Sequence, residues 1–82
     1  MPTIELSEQA DWQLFDTIAQ RLEAGLGGQW TAKLDGLDQR YWDLMVEDQV
    51  LTLHLEHYLG ISVLVPDNAK ELTQQVRKLL DP

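Results

Sequence analysis

The chain is expected to fold as an α+β domain, an antiparallel four-stranded meander with an N-terminal and a C-terminal helix packed on one face. Three observations predict it. Apolar residues recur at helical spacing near both ends of the chain, they alternate with polar residues through its middle, and the links between the alternating segments are short and carry turn residues. Short links between consecutive strands make neighbours antiparallel, because a parallel pair needs a long crossover.

At the N-terminus Ile4 and Leu6 alternate with Glu5, the pattern of a short extra edge strand or of an extended arm. From about Asp11 to Leu26 the residues Leu14, Phe15, Ile18, Leu22 and Leu26 form one stripe of a helix, with Ala19 beside them and Asp16, Gln20 and Glu23 turned outward. Ser7 or Asp11 caps its start, and Gly27-Gly28 ends it by supplying the left-handed conformation that helix ends favour.

The period then changes to two. Trp30, Ala32 and Leu34 alternate with Thr31 and Lys33, and Trp42, Leu44 and Val46 alternate with Tyr41, Asp43, Met45 and Glu47. A third strand sets Leu51, Leu53 and Leu55 against Thr52, His54 and Glu56, and a fourth, Ile61 to Val65, stops at Pro66, which has no N–H to donate to a ladder. The last helix is announced by Asn68 with Glu71 three residues on, a capping box, and its apolar stripe is Ala69, Leu72, Val76, Leu79 and Leu80.

Composition bounds the function. With 82 residues the chain is read as a single small domain over 1–82, and so short a chain has little core to spare, so burial in a dimer or complex would help it. It contains no cysteine, which excludes disulfides, thiolate metal sites and thiol catalysis and fits a cytoplasmic location. No stretch approaches the roughly 18 apolar residues of a spanning helix, and Met1-Pro2-Thr3-Ile4-Glu5 lacks the basic and apolar regions of a secretory signal, so no membrane partner is expected.

The formal charge is −8, and it is unevenly placed. Residues 1–68 hold twelve acids and three bases, a net of −9, and residues 69–82 hold three bases and two acids, a net of +1. Arg21, Lys33 and Arg40 are scattered, and Arg77 and Lys78 fall in the last turn of a helix, where cations complement its dipole. An acidic body without a basic stripe argues against nucleic acid as a partner.

Strand register follows from requiring apolar faces to coincide. With Asp48-Gln49 as a two-residue turn, Glu47 faces Val50, Val46 faces Leu51, Leu44 faces Leu53 and Trp42 faces Leu55. The other face then pairs Met45 with Thr52, Asp43 with His54 and Tyr41 with Glu56. Pairing Leu34 with Trp42 puts Lys33 beside Asp43, and pairing Leu55 with Ile61 puts Ser62 beside His54. One polar row would read Lys33, Asp43, His54, Ser62, the candidate binding residues.

That row has the ingredients of a catalytic triad, but a nucleophilic serine also needs an oxyanion hole and a pocket, which a regular strand does not supply. Solvated polar residues on a strand are the commoner case. The segment His54-Leu55-Glu56-His57 preplaces two metal ligands at best, too few for a site, so neither a metal nor a cofactor is expected. Tyr41, Met45, Thr52 and Leu64 form a half-apolar patch on the same face, and Met and aromatic residues are favoured where partners bind.

In element order, and in Trp12…Phe15…Leu22, Trp42-Asp43-Leu44 and Gly60-Ile61-Ser62-Val63, the chain resembles small uncharacterised bacterial α+β domain families of this size, a resemblance that implies no activity and carries over no functional residue. It also resembles the acidic secretion chaperones, small α+β proteins that dimerise and hold an unfolded client, and departs from them in being shorter and in lacking a further strand–helix extension. The expected function is a non-enzymatic interaction module, a homodimer or an adaptor, using the open sheet face or a strand edge. The alternatives are a small-ligand or metal binder using the polar row and, third, a small hydrolase.

Overall fold

The computed structural model describes residues 3–80. The order is β1 (Thr3–Ser7), α1 (Trp12–Leu26), β2 (Gln29–Asp35), β3 (Gln39–Val46), β4 (Gln49–Glu56), β5 (Gly60–Leu64) and α2 (Lys70–Leu80). The expected α+β architecture is present, with β2 to β5 forming the meander. The Ile4–Leu6 segment is a fifth strand, pairing antiparallel with β5, so the sheet runs β1-β5-β4-β3-β2.

Asp11, rather than Ser7, caps α1: its carboxylate accepts from the backbone N–H of Gln13 at 3.0 Å and of Leu14 at 3.1 Å. Gly27 closes the helix in left-handed backbone, φ 68°, with its N–H donating to Glu23 O. Phe15, Ile18, Ala19 and Leu22 face inward, whereas Leu14 is turned to solvent. Before α2, Asn68 does not cap. It sits in left-handed backbone (φ 66°), and Ala69 holds the cap position, its carbonyl accepting the first helical bond from Thr73. Asn tolerates that conformation better than most residues, which is what its place in the turn uses.

Both helices cover one face. Phe15, Ile18 and Leu22 of α1, Leu72 and Val76 of α2, and Leu44, Leu51, Leu53, Leu55, Ile61 and Val63 of the sheet share one buried cluster. The helices meet where Gly25 lies against Leu79, so closely that a Cβ on Gly25 would run into that leucine. Gly60, at φ 89°, brings the β4–β5 turn against the backbone of Ser7 and Glu8, which locks β1 to the meander.

Two features of register differ from expectation. The β3–β4 turn is Glu47-Asp48, with Glu47 at φ 59°, so Val46 faces Gln49, Leu44 faces Leu51 and Trp42 faces Leu53. The slip is two residues, which keeps every side chain on its expected face and changes only its neighbour. In β2 the ladder shifts between Trp30 and Ala32, making Thr31 a bulge. One extra residue inverts the alternation beyond it: Ala32 and Leu34 turn to the open face, and Lys33 and Asp35 turn to the helical side.

Candidate functional site

The open face is built from rows across the strands. Met45 pairs with Val50, with Gln29 beyond Met45. The next row is Ala32, Asp43, Thr52, Leu64 and Thr3, and the one after it is Leu34, Tyr41, His54, Ser62 and Glu5. Neither helix covers these residues. Leu34 is 67% exposed and Met45 42%, while Tyr41, Thr52 and Leu64 are half-buried.

The expected polar row is therefore divided. His54 and Ser62 are opposite one another, as expected. Asp43 is not beside His54: the two-residue slip places it opposite Thr52, whose hydroxyl donates to Asp43 Oδ1 at 2.7 Å. Lys33 is not on this face at all, because the Thr31 bulge turns it to the helical side, where it stays exposed with its Nζ 4.5 Å from the Trp42 ring centroid and 6.0 Å from that of Trp30. Aspartate, histidine and serine so disposed do not form a relay, since the orienting carboxylate is committed to a threonine one row away.

His54 instead stacks on Tyr41, centroids 4.3 Å apart and rings 13° from parallel. Its side chain is only 14% exposed, and its Nε2 stands 3.6 Å from Glu56 Oε2, beyond hydrogen-bonding reach. His57 lies in the following turn with its ring edge-on to Tyr58. Among the described residues no group of three or more histidines and carboxylates is arranged to hold a metal.

The interface residues fare differently. Thr52 and Leu64 are direct neighbours, Met45 sits one row above them and Tyr41 one row below, so all four share the open face. Leu34 and Val50 extend the patch; both escaped the sequence reading, Leu34 because the bulge was not visible and Val50 because the turn was placed one residue late.

A second cluster closes the opposite face at its β2–β3 end. Arg40 Nε and Nη2 donate to the two oxygens of Asp35 at 3.1 and 3.2 Å, and Nη1 donates to Asp16 Oδ1 at 2.9 Å. Its guanidinium carbon lies 4.7 Å from the Trp12 and Trp42 centroids and 5.0 Å from that of Phe15. The side chain is 14% exposed. Burial works against its charge, but the Asp35 and Asp16 hydrogen bonds outweigh that and hold its pKa above the ordinary value. Asp35 also accepts from Trp42 Nε1 at 2.8 Å, and the bonds from Arg40 and then Trp42 hold its carboxyl below the usual range. A shallow groove of about 250 Å³ adjoins this cluster, lined by Asp16, Gln20, Glu23, Trp30, Lys33 and Trp42. The alternation Arg40, Trp42, Leu44 carried the signal that Arg40 faces the core; the bulge that brings Asp35 to meet it had none.

Fold and surface together define a small α+β domain with one helix-covered sheet face and one bare, half-apolar face. The chain belongs to the family described as protein of unknown function (DUF3630), whose profile matches residues 2–80. No curated protein and no solved structure matches it. No helix among the described residues is long and apolar enough to cross a membrane.

Proposed function

We propose that the chain is a non-enzymatic protein-interaction module, working as a homodimer or an adaptor through the open face of its sheet. The supporting observation is the run of Leu34, Tyr41, Met45, Val50 and Leu64 on a face that neither helix covers. An antiparallel sheet with a solvated face ordinarily carries polar residues there, whereas Met, Tyr and Leu gathered around threonines are the composition of a contact surface. A hydrolytic reading loses its basis with the separation of Asp43 from His54, and a ligand site on the polar row loses Lys33. The absence of cysteine favours a cytoplasmic setting.

Light scattering coupled to gel filtration, with retention of cellular protein on the immobilised chain, tests this for the native protein and a Met45→Glu/Leu64→Glu variant. The native chain is expected to associate, with itself or with a partner, and the variant to lose that association with its circular dichroism unchanged. Equal association by both, or by neither, contradicts the proposal.

A further inference from the structure

Resting on that reading of the open face, we propose that its occupant is a cationic amphipathic segment of a partner protein, an apolar stripe flanked by Lys and Arg, and not a second copy of this chain. The argument is the placement of charge. All six lysines and arginines of the chain lie among the described residues, and none projects from the open face. Arg21 is on α1, and Lys70, Arg77 and Lys78 are on α2. The remaining two sit in strands that line the open face, yet the Thr31 bulge turns Lys33 to the helical side, and Arg40 is held there by Asp35 and Asp16.

The open face keeps three carboxylates, Glu5, Asp43 and Glu56, around its apolar centre. Asp43 lies within the patch, its carboxylate oriented by Thr52 and with lone pairs to spare for a cation. A two-fold dimer through this surface would set both copies' carboxylates, six in all, into one interface with no lysine or arginine of the described residues to meet them, and His54 on the same face is stacked on Tyr41 with its side chain only 14% exposed. Nucleic acid and anionic membrane surfaces carry the same sign as the face and are repelled by it. A bare sheet face is ordinarily completed by a helix, as α1 and α2 complete the other, and an apolar stripe over Tyr41, Met45 and Leu64 with flanking cations meets all three carboxylates.

The probe is a labelled helical peptide of about 18 residues, about 27 Å long, with a leucine stripe flanked by Lys and Arg. Its counterpart flanked by Glu is the control. Binding is measured by fluorescence anisotropy to the native chain and to two triple variants. Glu5→Gln/Asp43→Asn/Glu56→Gln neutralises the open face, and Glu8→Gln/Glu23→Gln/Glu71→Gln neutralises acids elsewhere; each brings the net charge from −8 to −5. The cationic peptide is expected to bind the native chain, to lose about tenfold or more in affinity to the first variant and less than about threefold to the second, and to weaken with salt. The Glu-flanked peptide is expected not to bind.

Failure of the partner class alone has its own signatures. These are a cationic peptide that does not bind, a Glu-flanked peptide that binds equally well and is lost with Leu64→Asn, or a native dimer in light scattering that Leu64→Asn dissociates. If the two triple variants weaken the cationic peptide equally and Leu64→Asn leaves it untouched, both this inference and the open-face reading are overturned.

Discussion

The two faces of this sheet are made from the same alternating strands and end in opposite conditions. On the covered face Leu44, Leu51, Leu53, Leu55 and Val63 are fully buried, and the carboxylates at its β2–β3 end, Asp35 and Asp16, are both paired with Arg40. On the open face the apolar groups remain partly exposed and, among the described residues, no lysine or arginine lies beside the carboxylates Glu5 and Asp43. The difference comes down to one bulge. Were the pairing of Trp30 with Leu44 continued without the extra residue Thr31, Lys33 would lie opposite Tyr41 on the open face and neutralise that face in part. A local irregularity in an edge strand thus sets the electrostatics of a whole surface.

Truncation separates the faces most sharply. Leu53→Ala is expected to cost about 3 kcal/mol of unfolding free energy, within the roughly 2–5 kcal/mol of a buried leucine that leaves a cavity. Leu64→Ala on the open face is expected to cost about 1 kcal/mol or less, because the site is half exposed and closes over little void. Urea unfolding of the pair checks this, and equal losses would mean that the open face is packed in solution.

Arg40→Ala should cost about 2 kcal/mol, since the side chain is largely buried among Trp12, Phe15 and Trp42 but its carboxylate partners are about half exposed and recover solvent. The same cluster sets a pH dependence. Because Arg40 and Trp42 hold the Asp35 carboxyl below its ordinary range, its contribution is complete above about pH 4, near the unfolded value, and is lost as pH falls through the lower folded value. Thermal melts across that interval should show a shallower acid loss in Asp35→Asn than in the native chain.

Smaller effects test the register. Thr52→Val is expected to cost about 1 kcal/mol through the lost hydrogen bond to Asp43 and to leave His54 undisturbed. With Asp43 beside His54 instead, the same change would be nearly neutral. Glu47→Gly should stabilise the chain by about 0.5–1 kcal/mol, because residue 47 occupies left-handed backbone that a glycine adopts without a Cβ penalty. A destabilised Glu47→Gly would place that residue in a strand.

These two registers mark where the sequence was legible. Periodicity leaves the cap of α1 open between Ser7 and Asp11 and β1 open between a strand and an arm, whereas the two helices, the order of the meander strands and the covered face of β3 to β5 follow from it. The β3–β4 pairing does not, because a slip by two residues leaves Leu44, Leu51 and Leu53 on the same face, and the hydrophobic pattern cannot distinguish the two pairings. Only the turn distinguishes them, and Glu47 is not a residue whose identity announces a positive φ. The bulge at Thr31 is hidden for a related reason: Trp30, Ala32 and Leu34 alternate without a break, and what interrupts them is the exchange among Lys33, Trp42, Asp35 and Arg40 across strands. The patch of Tyr41, Met45, Thr52 and Leu64 was legible because face membership survives a two-residue slip. The row of Lys33, Asp43, His54 and Ser62 was not, because it required both registers to be right.

The most direct test of the distinction between the faces is amide chemical-shift mapping of the native chain as the cationic amphipathic peptide is added. Shifts confined to Tyr41, Asp43, Thr52, His54, Ser62 and Leu64 are the expected result, with Phe15, Leu22 and Val76 unmoved. Shifts centred instead on Trp30, Lys33 and Trp42, in the groove beside α1, would show that the working surface lies on the helical side and would contradict the assignment of the open face.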